Sequence, residues 1–354
     1  MVGRTRKANV SAVTGNPLCR LAALGQSVWL DDIRRAWLED GTLARLVAED
    51  AVSGVTSNPA IFEKAIAGRH DYDRAIVELA RQGRSVREIY ETLAVEDVQR
   101  AADLLRGVYQ TSGGRDGYVS LEVSPHLAHD SEASITEARR LWARVARPNL
   151  MIKVPGTSAG LPAIRRLIAE GVNVNVTLLF SVARYREVMQ AWLAGLEDRL
   201  AAGAALDGIA SVASFFLSRI DTLVDSRLDA LGTAEAKRLR GEAAIGCARL
   251  AYQEYRALTQ GTHWQTLAVR GTKPQRLLWA STSTKDPAYS DVKYVEELIG
   301  PDTVDTLPFE TVAAYRDHGN PARRLEEELD AARALPERLA ALGIELAAVG
   351  EELE

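Results

Sequence analysis

Eight short apolar or alternating runs recur along the chain, and between them lie longer stretches whose apolar residues fall at helical spacing. The runs are SVWLDD (27–32), AVSGVTSN (51–58), GYVSLEVS (117–124), LMIKVP (150–155), VNVNVTLLF (172–180), GIASVASF (208–215), RLLWAST (276–282) and TVDTLP (303–308). Strand alternating with helix is what a parallel sheet covered by helices leaves in a sequence. Eight such units predict an α/β fold, a (β/α)8 TIM barrel. The intervals are unequal: 59–114 and 215–261 each hold several helical patterns, which we assign to helical insertions. No Pro/Gly/Ser-rich linker and no repeat of fixed period divides the chain. The expected organisation is a polar N-terminal extension over 1–20 and a single barrel domain over 21–354. Within it SEASITEARRLWARVA is a helix capped by Ser131 or Ser134. The tail after Asn320 is a final amphipathic helical segment interrupted by Pro336.

Strands of a parallel barrel are covered on both faces and default to continuous apolar runs, so polar residues inside them need a reason. Side chains alternate along a strand. In the fifth run Asn173, Asn175 and Thr177 share one face and Val172, Val174 and Val176 the other; the valines suit the helices, which turns the polar set inward. The same alternation groups Met151 with Lys153, Ser120 with Glu122 and Ser124, and Ser27 with Trp29 and Asp31. Barrel enzymes carry their chemistry at the C-terminal ends of the strands. Asp31, Asn58, Glu122, Lys153, Thr177, Ser214 and Ser281 all fall late in their runs.

Plainer roles exist for several of these residues. Lys153 and Glu122 could form a buried structural ion pair, although such a pair seldom adds net stability. Asp31 could cap a helix starting near Ile33, with Asp32 the better cap. Asn58 precedes Pro59, a common way into a helix with proline in its first turn. Asn175 and Thr177 could satisfy each other in a polar layer.

Composition narrows the function classes. A net charge of −5 gives no electrostatic support for a nucleic-acid partner. Cys19 and Cys247 stand alone, outside any CxxC or Cys/His pattern, which argues against disulfides and structural zinc and fits a reducing cytoplasm. The basic N-terminus lacks an apolar stretch behind it, and no run of about 18 apolar residues occurs; neither export nor a membrane span is expected. His126 and His129 sit in a loop without further ligands, PGTSAG lacks the ending of a P-loop, and the acidic tail suits a solvated helix face.

The segments GVTSNPAIFEKAI, NLMIKVPGT and VNVNVTLLFS resemble the signature stretches of transaldolases, and WASTSTKDPAYSD resembles the seventh-strand region of the actinobacterial-type branch. The resemblance runs from about Leu21 to the C-terminus. It implies a class I aldolase barrel, a transferase of the pentose phosphate pathway. In it Lys153 forms a Schiff base with a sugar phosphate and no metal or organic cofactor takes part. By matching motif, Asp31 corresponds to the general acid/base, Glu122 and Thr177 to the pair holding the catalytic water, and Asn58 and Asn175 to amides that bind ketose hydroxyls. Ser214 and Arg219 correspond to phosphate ligands, with Ser214 expected at a helix start. Where many relatives carry an arginine after strand seven this chain has STSTKDP, so Lys285, the only nearby cation, is the phosphate partner considered there, and Ser281 is a further substrate-binding candidate.

A free lysine is protonated at neutral pH, and an ammonium cannot attack a carbonyl, so the nucleophile must shed a proton. The resemblance implies transfer of a dihydroxyacetone unit from sedoheptulose 7-phosphate to glyceraldehyde 3-phosphate. One rival is a fructose 6-phosphate aldolase, in which the water-holding acid is typically glutamine and the TLLF phenylalanine typically tyrosine; Glu122 and Phe180 favour transfer. The other rival is a catalytically idle sugar-phosphate-binding barrel. The sequence leaves monomer and homodimer open.

Overall fold

The computed structural model describes residues 15–354; the rest of the expected N-terminal extension, residues 1–14, lies outside them. Eight parallel strands close in chain order into a barrel: β1 Gln26–Leu30, β2 Val52–Val55, β3 Val119–Glu122, β4 Leu150–Pro155, β5 Val174–Leu179, β6 Ser211–Phe216, β7 Arg276–Ala280 and β8 Thr303–Leu307. Helices follow the strands on the outside, and the chain is a (β/α)8 barrel with helical insertions. The first insertion, between β2 and β3, contains Pro59–Ala67, Asp73–Arg81, Val86–Leu104 and Arg106–Thr111; the second, between β6 and β7, contains Ala234–Leu239, Ala243–Gln260 and Thr262–Ala268.

Two apolar layers separate on the strand alternation. Val28, Val119, Ile152, Val154, Val174, Val176, Leu277 and Trp279 face the helices, while Trp29, Tyr118, Met151, Val212, Leu278 and Val304 fill the barrel. A polar plug closes the lower end: Asp116 accepts from Ser27 Oγ (2.8 Å), Trp29 Nε1 (3.0 Å) and Arg276 Nη2 (3.0 Å). Gly54 leaves room for the Trp29 ring, since a Cβ there would lie 2.5 Å from it.

The segment 17–20, assigned above to a polar extension, begins the helix Pro17–Ala23, with Asn16 as its cap and Leu18 and Leu21 buried; it packs on the helix Phe309–His318. The cap of Ser131–Val145 is Asp130, whose side chain accepts from Ala133 N (2.9 Å), and not Ser131 or Ser134. The extended backbone that a cap needs falls one residue earlier than expected. Ser131 instead hydrogen-bonds the Ala159 carbonyl and Ser134 that of Leu127. Neither Asp31 nor Asp32 caps a helix: the next one starts at Arg35 after Arg34, and Asp32 pairs with the Arg34 guanidinium at 2.5 Å. Pro336 does not interrupt its helix, which runs Leu329–Ala340 straight through it. Burial of Ala332, Leu335 and Leu339 offsets the lost backbone bond. Among the described residues no helix is long and apolar enough to cross a membrane.

β8 holds an anomaly on its outer face. Asp305 is paired in register with Val28 and Trp279, is 0% exposed, and among the described residues neither carboxyl oxygen has a hydrogen-bond partner. Burial pushes its pKa well up.

Candidate active site

At the C-terminal mouth, β4 turns Lys153 into the barrel, where it is 5% exposed. Register places Glu122 of β3 and Asn175 of β5 on either side of it. Lys153 Nζ lies 3.0 Å from Glu122 Oε2 and donates to the Ser57 carbonyl at 3.1 Å. That carbonyl is available because β2 parts from β3 just below it. The two strands share a single register pair, Val55 with Val119. One rung higher the Ser57 hydroxyl replaces the backbone bond, donating to Ser120 O at 2.6 Å.

Asp31 follows β1 directly. Its carboxylate accepts from Thr56 Oγ1 at 2.7 Å. Burial pushes its pKa up, the positive charge of Lys153 and the Thr56 hydrogen bond pull it down, and the charges of Asp32 and Glu122 push it up again. A carboxyl balanced in this way can both take and return a proton. The loop behind it is anchored by a buried set in which Arg35 Nε and the Tyr72 hydroxyl both donate to Asp97, at 2.8 and 2.7 Å.

Asn175 spans the interior: its amide donates to Ser120 Oγ (3.0 Å) and its carbonyl oxygen accepts from Ser214 Oγ (2.7 Å). Thr177, 1% exposed, lies two residues further up β5, beside Pro155 of β4. The strand then breaks register between Val176 and Leu179, with Leu178 at φ +62°. A bulge of this kind re-aims a side chain at a barrel rim. Asn58 performs the capping role open to it, accepting from Ile61 N at 2.9 Å.

Ser214 is not at a helix start. β6 continues to Phe216 and the helix begins at Ser218, so Ser214 points into the barrel toward Asn175. The rim position belongs to Ser218, whose hydroxyl meets that of Ser281 at 2.8 Å and whose N–H donates to Ser281 O at 3.1 Å. Ser281 holds φ +57°, a conformation that costs energy outside glycine. Arg219 is exposed on the first turn of Ser218–Leu231, its guanidinium 5.2 Å from the Phe216 ring centre, and Phe216 packs against Phe180 at 5.3 Å. Lys285 is not brought to this cluster. It bonds Ser283 Oγ at 2.6 Å and lines a separate cavity with Asp221, Asp225, Arg240 and Asp286.

Glu122 is approached from a second side: a cavity of about 350 Å³ under the helix Val86–Leu104 ends on it, lined by Tyr90, Ser124, His126 and Glu137. Burial, followed by the charges of Glu122 and Glu63, pushes the Tyr90 phenol up to about 12. His126 and His129 are exposed, and among the described residues no cluster of three or more metal-ligating side chains occurs.

Thr56, Ser57, Ser218 and Thr306, whose hydroxyl meets that of Thr56 at 2.7 Å, take part in this network without having been named from the sequence, and Ser120 was read only as an inward neighbour of Glu122. Thr56 and Ser57 stand beside the Asn58 that was noticed, and alternation within GYVSLEVS already pairs Ser120 with Glu122. Nothing in TVDTLP tells whether Thr306 or Asp305 faces inward.

Residues 28–354 match the family model described as Transaldolase/Fructose-6-phosphate aldolase. A protein of Thiobacillus denitrificans named Transaldolase is 50% identical over 94% of this chain and 93% of its own length. One of Frankia alni with the same name is 50% identical over 96% and 92%. Transaldolase 1 of Streptomyces coelicolor is 53% identical over 88% of this chain and 81% of its own length.

Proposed function

The chain belongs to the transaldolase family, and from that membership we propose that it transfers a dihydroxyacetone unit between sugar phosphates through an imine on Lys153. It is an enzyme, a transaldolase. The observation that carries the proposed chemistry is the seat of Lys153: a nearly unexposed amine 3.0 Å from one carboxylate, in the electrostatic field of a second, Asp31. The proposed donor is sedoheptulose 7-phosphate and the acceptor glyceraldehyde 3-phosphate, giving erythrose 4-phosphate and fructose 6-phosphate.

Lys153 passes a proton toward Glu122, and the free amine adds to the C2 carbonyl. The carbinolamine loses its hydroxyl as water, with Glu122 and Thr177 holding that water and relaying the protons. The resulting iminium is an electron sink. Asp31 takes the proton of the C4 hydroxyl, the C3–C4 electron pair moves into the iminium, and the aldose phosphate departs, leaving an enamine on Lys153. The acceptor aldehyde adds to the enamine, its oxygen takes the proton back from Asp31, and water releases the new ketose. Asn175 and the Asn58 amide nitrogen orient the ketose hydroxyls. Arg219 holds the distal phosphate by a charge-assisted fork, with Ser218 and Ser281 at the same rim. Ser214 contributes by fixing Asn175. Lys285 faces its own acidic cavity and is left out of the phosphate site.

Incubation with fructose 6-phosphate, borohydride reduction and peptide mass mapping tests the nucleophile. Label on Lys153, lost in Lys153→Met, is expected; label elsewhere defeats the assignment. Adding erythrose 4-phosphate and detecting sedoheptulose 7-phosphate separates transfer from cleavage to free dihydroxyacetone.

A further inference from the structure

β1 lies between β2 and β8, and Asp31, just past its end, is tied to both. Asp31 N–H donates to Leu307 O of β8 at 2.8 Å, and Thr56 N–H of β2 donates to Leu30 O, also at 2.8 Å. The side chains repeat the arrangement. Thr56 Oγ1 is 2.7 Å from Asp31 Oδ1 and 2.7 Å from Thr306 Oγ1. A hydroxyl has one proton, and an ionised carboxylate can only accept. With Asp31 ionised, the Thr56 proton therefore goes to Asp31, and Thr306 must be the donor to Thr56. Both threonines are nearly unexposed, at 2% and 3%, and the Thr306 carbonyl is itself held by Thr282 Oγ1 at 3.0 Å.

We propose that Thr56 and Thr306 are positioning residues for the reaction, a directed pair of hydroxyls that occupies Asp31 Oδ1 and leaves Oδ2 to exchange a proton with the sugar. This rests on the reading of Asp31 as the acid/base. In the cleavage half, the C4 hydroxyl proton moves to Oδ2, its O–H electrons form the aldehyde C=O, and the C3–C4 pair goes to the enamine. Because Oδ1 already accepts from Thr56, the proton stays on the oxygen that faces substrate. It is returned from there when the acceptor adds. The pair also favours the ionised form that the base must start from: burial raises the Asp31 pKa and the Thr56 hydrogen bond lowers it. The charges that face Asp31 are Lys153 from β4, Glu122 from β3 and Asp32 from its own loop, the last paired with Arg34. Substitution at 56 or 306 leaves all of them in place.

The test is the pH profile of kcat/KM for transfer, measured on the whole chain. The acidic limb of Thr56→Val is expected to move up by about one pH unit, the size expected when a hydrogen bond to a charged group is lost. Thr56→Ser restores the parent profile. Thr306→Val, which does not touch the carboxylate, gives a smaller shift in the same direction and serves as the independent variant if Thr56→Val folds poorly. Borohydride trapping at Lys153 in each variant checks that the site is assembled. An unmoved acidic limb in trapping-competent variants, or failure of Thr56→Ser to restore the profile, overturns the proposal. Asp31→Ala separates the two layers of argument. If it abolishes transfer while the Thr56→Val limb stays put, the hydroxyl pair alone is wrong; if it leaves transfer intact, the reading of Asp31 and the pair fall together.

Discussion

Asp31 and Asp305 show what position does to one functional group. Both have pKa values raised chiefly by burial. Asp31 has a hydroxyl donor and a lysine nearby, while Asp305 has neither among the described residues. A carboxyl whose folded pKa lies above its unfolded value stabilises the fold fully below the ordinary carboxyl range, and that stability is lost as pH rises through the raised value. Near neutrality, where the unfolded chain has both groups ionised, each carboxyl thus costs the native state something. Asp31→Asn is expected to melt at or above the parent temperature at pH 7 while transfer drops about 10²–10⁴-fold. Thermal melts and a coupled assay check this, and a lower melting temperature would mean that the charge serves the fold. Asp305→Leu is expected to stabilise by about 1–3 kcal/mol near neutral pH, with a smaller gain at pH 4, by urea unfolding. Alternation within SVWLDD groups Asp31 with inward residues. Within TVDTLP it groups nothing, because threonine, valine and aspartate suit either face equally badly.

Among the elements, strands were more legible than helix ends. Each of the eight expected runs contains or closely overlaps a strand, because the apolar faces of β4, β5 and β6 repeat at period 2 over several residues. A cap is one residue, and Asp130 and Ser131 are both competent; the backbone at Asp130 (φ −128°, ψ 102°) decides between them. Pro336 misled for a related reason, since local propensity yields to burial of the residues around it. Site residues on strands were readable by parity, whereas the rim residues Ser218 and Lys285 depend on loop paths that parity does not reach. β2 supplies the sharpest test at this scale. Trp29 is pinned through Nε1 to Asp116, so it cannot retreat from a methyl placed 2.5 Å away. Gly54→Ala is expected to cost about 1–3 kcal/mol, read as a lower denaturation midpoint with an unchanged slope.

For the whole molecule, the carboxyls whose pKa values burial raises act together. Asp31, Asp97, Asp221 and Asp305 all have pKa values raised, first of all by burial, with Asp221 at about 6. On the surface, hydrogen bonds from Arg139 and Arg166 lead in holding Glu170 down to about 2. The raised groups lose their contribution as pH climbs from the ordinary carboxyl range, and Glu170 loses its own as pH falls. The melting temperature is therefore expected to peak at about pH 4–5 and decline toward pH 7. The double variant Asp221→Asn, Asp305→Leu should flatten the decline, and an unchanged slope in calorimetry would refute the attribution. The closed cylinder could be counted from the sequence, but not the uneven strength of its wall. At the height of Lys153 the ring of main-chain bonds is interrupted, and one serine hydroxyl fastens β2 to β3. Beyond the Val55–Val119 pair, side-chain bonds of the Ser57 hydroxyl and the Lys153 amine hold β2 to β3 and β4 in place of a ladder. The Lys153 amine, hydrogen-bonded to the Ser57 carbonyl, sits on this parting line.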